Sequence, residues 1–260
     1  MTAPNQTNPS PDLLARWDVQ QTAYIQDRDR VYEVMFEVLT HLCPAEDLAA
    51  LDLACGPGAI SDRLLRRLPK ARSVAVDVDP VLLAIGQAAL GDVAGRLRWV
   101  RADLRDQDWT DALGADGADG TFDAVLSSTA LHWLDPATLV ATYRRAYRLL
   151  RPGGVLLNAD YLPHPEGSRL RAACDAIALE RRNGALAGGA ESWETWWEAV
   201  AAEPALAGAR AQRATLWPEG ARDWTGATHH FHESALREAG FGETGVVWQD
   251  LQQRVVAALL

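Results

Sequence analysis

The chain has 260 residues, 48% of them apolar and 23% charged, which suits one soluble α/β domain carrying an insertion. Its 35 acidic against 25 basic side chains give a formal net charge of −10. That balance argues against a protein that grips nucleic acid through phosphates, since such proteins usually present a basic face.

Residues 1–11 are polar with three prolines and read as a disordered tail, not a signal peptide. No window approaches the ~18 continuous apolar residues of a membrane span, so a cytoplasmic protein is expected. Over 12–48 the pattern predicts N-terminal helices, with Val31, Val34, Met35, Leu39 and Leu42 at helical spacing. From 49 to 161 short apolar strands alternate with helices. Strands are expected over 49–54, 72–79, 96–104, 122–128 and 155–161, the last after an "RPGG" turn. Helices are expected over 59–68, 80–90 and 136–150, with Pro80 at a first helical position. This alternation predicts a doubly wound, parallel α/β sheet. Over 162–230 it stops. Two helical segments, 168–183 and 192–203, are separated by "GALAGG", which reads as a flexible turn. Trp193, Trp196, Trp197, Trp217 and Trp224 fall here, and the segment reads as a helical cap over the sheet edge. Residues 231–260 then supply a helix ending at Gly240 and two strands joined as an antiparallel hairpin.

The stretch "LDLACGPGA", Leu51 to Ala59, places two glycines just past the first strand. Without a Cβ, Gly56 and Gly58 let the backbone turn sharply and let a ligand approach. A dinucleotide fingerprint wants Gly or Ala where Ser61 stands. Asp77 ends the second strand, where an acid can accept both hydroxyls of a ribose, and Asp103 ends the third, where it can meet an exocyclic amine. Three consecutive strand ends thus carry a glycine loop and two acids. Cys43, Cys55 and Cys174 are dispersed and offer neither a zinc pattern nor a disulfide framework.

Together with "VAVDVDP", "RADL", "FDAVLSSTALHWL" and "LRPGG", this stretch resembles the class I S-adenosylmethionine-dependent methyltransferases. The phrase "SSTALHWL" is similar to the small-molecule branch that includes trans-aconitate and malonyl-carrier-protein methyltransferases. The resemblance implies a seven-stranded, mostly parallel Rossmann-like sheet and S-adenosylmethionine as cofactor. Ala54, standing where the family has its first loop glycine, would line the methionine portion with Gly56 and Gly58. Asp77 would hold the ribose hydroxyls and Val78 would pack on the adenine. Asp103 would meet the adenine amine beside the Leu104 amide, and Ser127 would sit near the sulfonium. An aromatic residue and an arginine from the N-terminal helices would close over the methionine, with Tyr24 and either Arg28 or Arg30 as candidates and Arg30 carried forward.

Methyl transfer from a sulfonium is a direct displacement, so the protein must mainly align the reactants in a dry pocket. A base is needed only where the acceptor must lose a proton. His132, after the fourth strand, is the candidate base, because histidine titrates near neutral pH. Trp133 would wall the pocket or face the cation. His229, His230 and His232 near the mouth of the cap suggest a substrate-facing histidine, and no metal is expected. The expected partner is a small-molecule acceptor, with no nucleic acid and no membrane; the oligomeric state stays open. Two other readings share the fold: carboxy-S-adenosylmethionine synthesis, and a cofactor-binding module without turnover.

Overall fold

The computed structural model describes residues 9–217 and 226–260. Residues 1–8 of the expected tail, and Trp224, lie outside the described residues. The N-terminal region forms two helices, α1 (Asp12–Gln21) and α2 (Arg28–Leu42). Asp27 stands between them with φ 49°, a left-handed conformation that redirects the chain. The alternating core follows: β1 (Ala49–Leu53), α3 (Ala59–Arg67), β2 (Arg72–Asp77), α4 (Pro80–Leu90), β3 (Leu97–Arg101), β4 (Phe122–Ser128), α5 (Pro136–Leu149) and β5 (Leu150–Tyr161). α6 (Arg169–Ala187), α7 (Trp193–Ala202), α8 (Ala207–Leu216) and α9 (His229–Ala239) precede the hairpin of β6 (Glu243–Asp250) and β7 (Gln253–Leu259).

The seven strands run in the order β3-β2-β1-β4-β5-β7-β6. All neighbours are parallel except those of β7, which pairs antiparallel with β5 and β6. The expected fold class therefore holds, hairpin included. Chain order reverses between β1 and β4, and the carboxyl ends of strands at such a switch point are where open α/β sheets bind ligands. Every residue of β1 is buried, because helices cover both faces of the sheet. α5 and α9 pack on one face through Leu139, Tyr143, Ala146 and Leu236. α2 and α3 pack on the other through Val31, Met35, Leu39 and Leu64.

The helices start where their caps dictate. Asp79 accepts from the amides of Val81 and Leu82 ahead of α4, and Asp135 from those of Ala137 and Thr138 ahead of α5. In each case a proline fills the next position, where no amide is needed.

Two expectations change, and the tryptophan face finds its partners. The "RPGG" turn lies inside β5 as an irregularity, since pairing jumps from Phe122↔Leu150 to Ala124↔Val155. The "GALAGG" turn is mostly helix: α6 runs through Ala187, because alanine and leucine favour the helix strongly enough to carry Gly184. Most consequential is the placement of the tryptophans. α7 joins α1 and α4 in a separate cluster with Leu13, Leu14, Val81, Ile85, Trp196 and Leu206. Trp196 is fully buried there, edge-on to Trp17 at 4.9 Å and to Trp197 at 5.0 Å, and its indole N–H donates to the Leu13 carbonyl. The tryptophan face is thus packing that secures α7 against the α1–α4 side. α6 buries none of its side chains.

Candidate active site

The loop after β1 has backbone that L-residues avoid. Ala54 and Gly56 adopt φ 52° and φ 56°, and Gly58 φ 89° at the N-cap of α3. The two glycines differ in what surrounds them. A Cβ on Gly56 would meet only Leu82, at 3.9 Å, whereas one on Gly58 would lie 2.5 Å from the Trp99 ring. Gly58 therefore makes room for Trp99, and Gly56 is the glycine with open space beside it. Ser61, the mismatch to the dinucleotide pattern, has a structural task. Its amide and hydroxyl both donate to Asp52 Oδ2 of β1, at 3.1 and 2.7 Å. Asp52 is buried, and its Oδ1 has no hydrogen-bond partner. Burial pushes its carboxyl up to about 7; the Ser61 hydrogen bonds oppose this, and the charge of Asp77 adds to it.

Asp77, at the end of β2, ties the loop to the next strand. The Gly56 amide donates to its Oδ2 at 2.8 Å and the Asp79 amide to its Oδ1 at 2.7 Å. Both carboxylate oxygens thus fix the acid against the loop backbone. Val78 is half-buried beside it and Leu104 is buried. Asp103, past β3, is gripped by Arg105, whose Nε lies 2.9 Å from Oδ1 and 3.0 Å from Oδ2. Burial works to raise the Asp103 pKa, but the Arg105 hydrogen bonds and charge outweigh it and hold the carboxyl low. The Ser127 hydroxyl donates to the Leu53 carbonyl at 2.9 Å, so β4 and β1 are joined at their carboxyl ends.

Of the N-terminal candidates, Tyr24 is half-buried and its hydroxyl accepts from the Trp193 amide. Arg30 lies on the exposed face of α2 and pairs with Glu33 and Glu37. Arg28 is the buried arginine, paired with Asp18 at 2.5 Å, and its Nε has no partner. The structure thus turns Arg30 to solvent and Arg28 inward.

His132 sits in a short 3₁₀ turn, Leu131–Trp133, after β4. Its partner was not visible in the sequence. Asp160 of β5 accepts from the His132 amide at 3.0 Å through Oδ2 and meets the ring Nδ1 at 2.5 Å through Oδ1. The Tyr161 amide also donates to Oδ1, at 2.9 Å. The Asp160 side chain is fully buried. A carboxylate at Nδ1 requires a proton there, so in the neutral ring Nε2 is the basic nitrogen. Trp133 is exposed, its ring 4.9 Å from that of His132.

The three later histidines separate. His232 points into the core, where its Nδ1 meets the Tyr143 hydroxyl at 2.7 Å and burial pulls its pKa down to about 4. His229 and His230 gather with Glu233, their ligand atoms all within 4.8 Å. This trio lies in the first turns of α9, where the helix amides disfavour a cation, and His229 also feels the positive charge of Arg254.

A glycine loop tied to the acid of the next strand, beside the switch point, is an arrangement suited to a nucleoside. The comparisons narrow this. Residues 50–154 match the family described as a methyltransferase domain. A trans-aconitate 2-methyltransferase from Azoarcus sp. (strain BH72) is 35% identical over 145 residues, 55% of this chain and 50% of that protein. A ubiquinone/menaquinone biosynthesis C-methyltransferase from Dinoroseobacter shibae is 31% identical over 158 residues, 59% of this chain and 58% of that protein. The chain thus spans between half and three-fifths of these relatives. The solved structure of a putative O-methyltransferase from Nostoc punctiforme shares the fold, with a TM-score of 0.54 at 17% identity, covering 96% of this chain and 66% of that one. Over residues 50–154 the chain is thus similar to a methyltransferase domain. Among the described residues no helix is long and apolar enough to cross a membrane.

Proposed function

We propose that the chain transfers a methyl group from S-adenosylmethionine to a small-molecule acceptor, with His132 as general base. The observation that carries this is the clamp between the Gly56 amide and the Asp77 carboxylate, which pre-forms the cradle between β1 and β2. When bound, the cofactor supplies an electrophilic methyl on a sulfonium. The chain's own residues bind, orient and deprotonate. Ala54 and Gly56 back the methionine portion, and Gly58 shapes the loop by admitting Trp99. Asp77 takes the ribose hydroxyls. Val78 and Leu104 pack on the adenine, and Asp103 meets its amine through an oxygen shared with Arg105. Ser127 lies beside the sulfonium. Arg28 replaces Arg30 as the arginine that, with Tyr24, closes over the methionine.

Asp160 holds His132 in one tautomer and one orientation, and Nε2 takes the proton that the acceptor loses. Such a positioned base contributes about 10²–10⁴-fold. Alignment of acceptor and methyl supplies on the order of 7 kcal/mol. Relatives named for trans-aconitate and for C-methylation are both similar to this chain, so similarity alone does not select the acceptor. The acidic net charge favours a small molecule over nucleic acid.

Calorimetric titration with S-adenosylhomocysteine tests this reading. Wild type should bind it and not NAD, and Asp77→Ala should bind at least ~100-fold more weakly, the loss of two charge-assisted hydrogen bonds. No binding by wild type would overturn it.

A further inference from the structure

Arg254 is the second residue of β7, opposite Asp160 in the β5–β7 ladder. Strand order sets the cofactor loop at β1–β2, the His132–Asp160 pair at β4–β5, and Arg254 one strand further on. Facing residues of an antiparallel pair project from the same face of the sheet. Arg254 is 4% exposed, and Arg28 is the other buried arginine among the described residues. Arg28 has Asp18 as its counter-ion. Arg254 has no carboxylate within ion-pair distance among the described residues, and its one hydrogen bond there goes to the Leu162 carbonyl. A guanidinium has five N–H donors, and buried arginines are almost always paired.

The carboxylates nearby are committed elsewhere. Asp160 accepts from His132 twice and from Tyr161. Glu233 lies close enough to raise the Arg254 pKa, but its carboxylate is 3.6 Å from His229 and 4.0 Å from His230. Burial outweighs Glu233 and the Cys174 thiol and leaves the Arg254 pKa lowered, as befits a cation short of counter-charge. His229, which feels the charge of Arg254, adds no negative charge. The arrangement lacks one anion.

We propose that Arg254 binds a carboxylate of the acceptor, which makes the acceptor a small organic acid methylated at a second, proton-bearing group. The inference rests on the methyltransferase reading and deepens it. The carboxylate is the handle and not the nucleophile: a carboxylate neutralised by a buried guanidinium is a poor nucleophile, and the His132–Asp160 pair serves only a group with a proton to lose. The planar fork of arginine suits bidentate carboxylate recognition, which lysine cannot reproduce.

Matched probes test the class. With saturating S-adenosylhomocysteine, benzoate and succinate should raise the melting temperature, and benzamide and succinamide should not. Arg254→Gln should abolish the response to the acids and keep S-adenosylhomocysteine affinity. Equal shifts by acids and amides, or an undiminished acid response in the variant, overturn the proposal. Should Arg254→Gln not fold, Arg254→Lys decides: acid binding weakened ~10-fold supports the fork, and unchanged binding refutes it. The same comparison without S-adenosylhomocysteine reads Arg254 alone. A chain that discriminates acids from amides but binds no S-adenosylhomocysteine would refute the methyltransferase reading while leaving the anion site standing.

Discussion

Asp160 holds both the backbone and the ring of His132. Asp160→Asn keeps the volume but replaces an acceptor oxygen with a group that can favour the wrong tautomer. We expect kcat to fall ~10²–10⁴-fold in steady-state assays, with S-adenosylhomocysteine affinity and KM little changed. His132→Ala should match it, and the double variant should be no worse than either, since the pair acts as a unit. A double variant that loses the product of the two single effects would count against this. His132 was legible in the sequence because it follows a strand in a family phrase. Asp160 was not, because an acid near a strand end has many uses, and only the β4–β5 pairing brings it to a turn 28 residues earlier. Arg30 carried a readable warning. Glu33 and Glu37, three and seven residues on, share its helix face, as in a solvated, charge-paired surface.

At the scale of elements, α8 shows why strands and early helices were readable and the insertion was not. Strand periodicity and caps are local, whereas the partner of α8 lies across the molecule. Arg213 reaches from α8 to Asp79, the N-cap of α4, at 2.7 Å, and lies 4.2 Å over the Trp197 ring. One buried carboxylate thus starts α4 and anchors α8, beside the acid expected to hold ribose. Arg213→Ala should lower stability by about 2 kcal/mol in urea unfolding, the loss of a largely buried charge pair and a cation–π contact. Hydrogen exchange should quicken in α8 and hardly change in α5. Uniform exchange throughout would show that the anchor is not local.

The molecule as a whole carries two buried groups whose titrations oppose each other. His232 is pulled from 6.5 down to about 4, so the unfolded chain holds the extra proton between those values. This group makes stability rise with pH across that window and fall in acid. Asp52 is raised from 3.8 to about 7, so the folded chain holds the extra proton, and stability falls as pH rises through that range. Each shift amounts to on the order of 3 kcal/mol, and in wild type they largely cancel. Denaturation series from pH 4 to 7 should therefore tilt oppositely in two variants. His232→Leu should lose stability as pH rises, and Asp52→Asn should gain it. Parallel tilts would refute the assignment.

The order in which a ribosome delivers these parts differs from their order in space. Of the strands, β1 to β4, with the glycine loop and Asp77, come first. β7, which brings Arg254, follows the other six strands in the chain yet lies inside the sheet between β5 and β6. A nascent chain can thus assemble the cofactor cradle while the strand that faces the acceptor is still unmade, and β5 has an open edge until then. Cofactor present during synthesis would favour the half-built sheet by mass action, a ligand acting as a folding aid before it is a reactant.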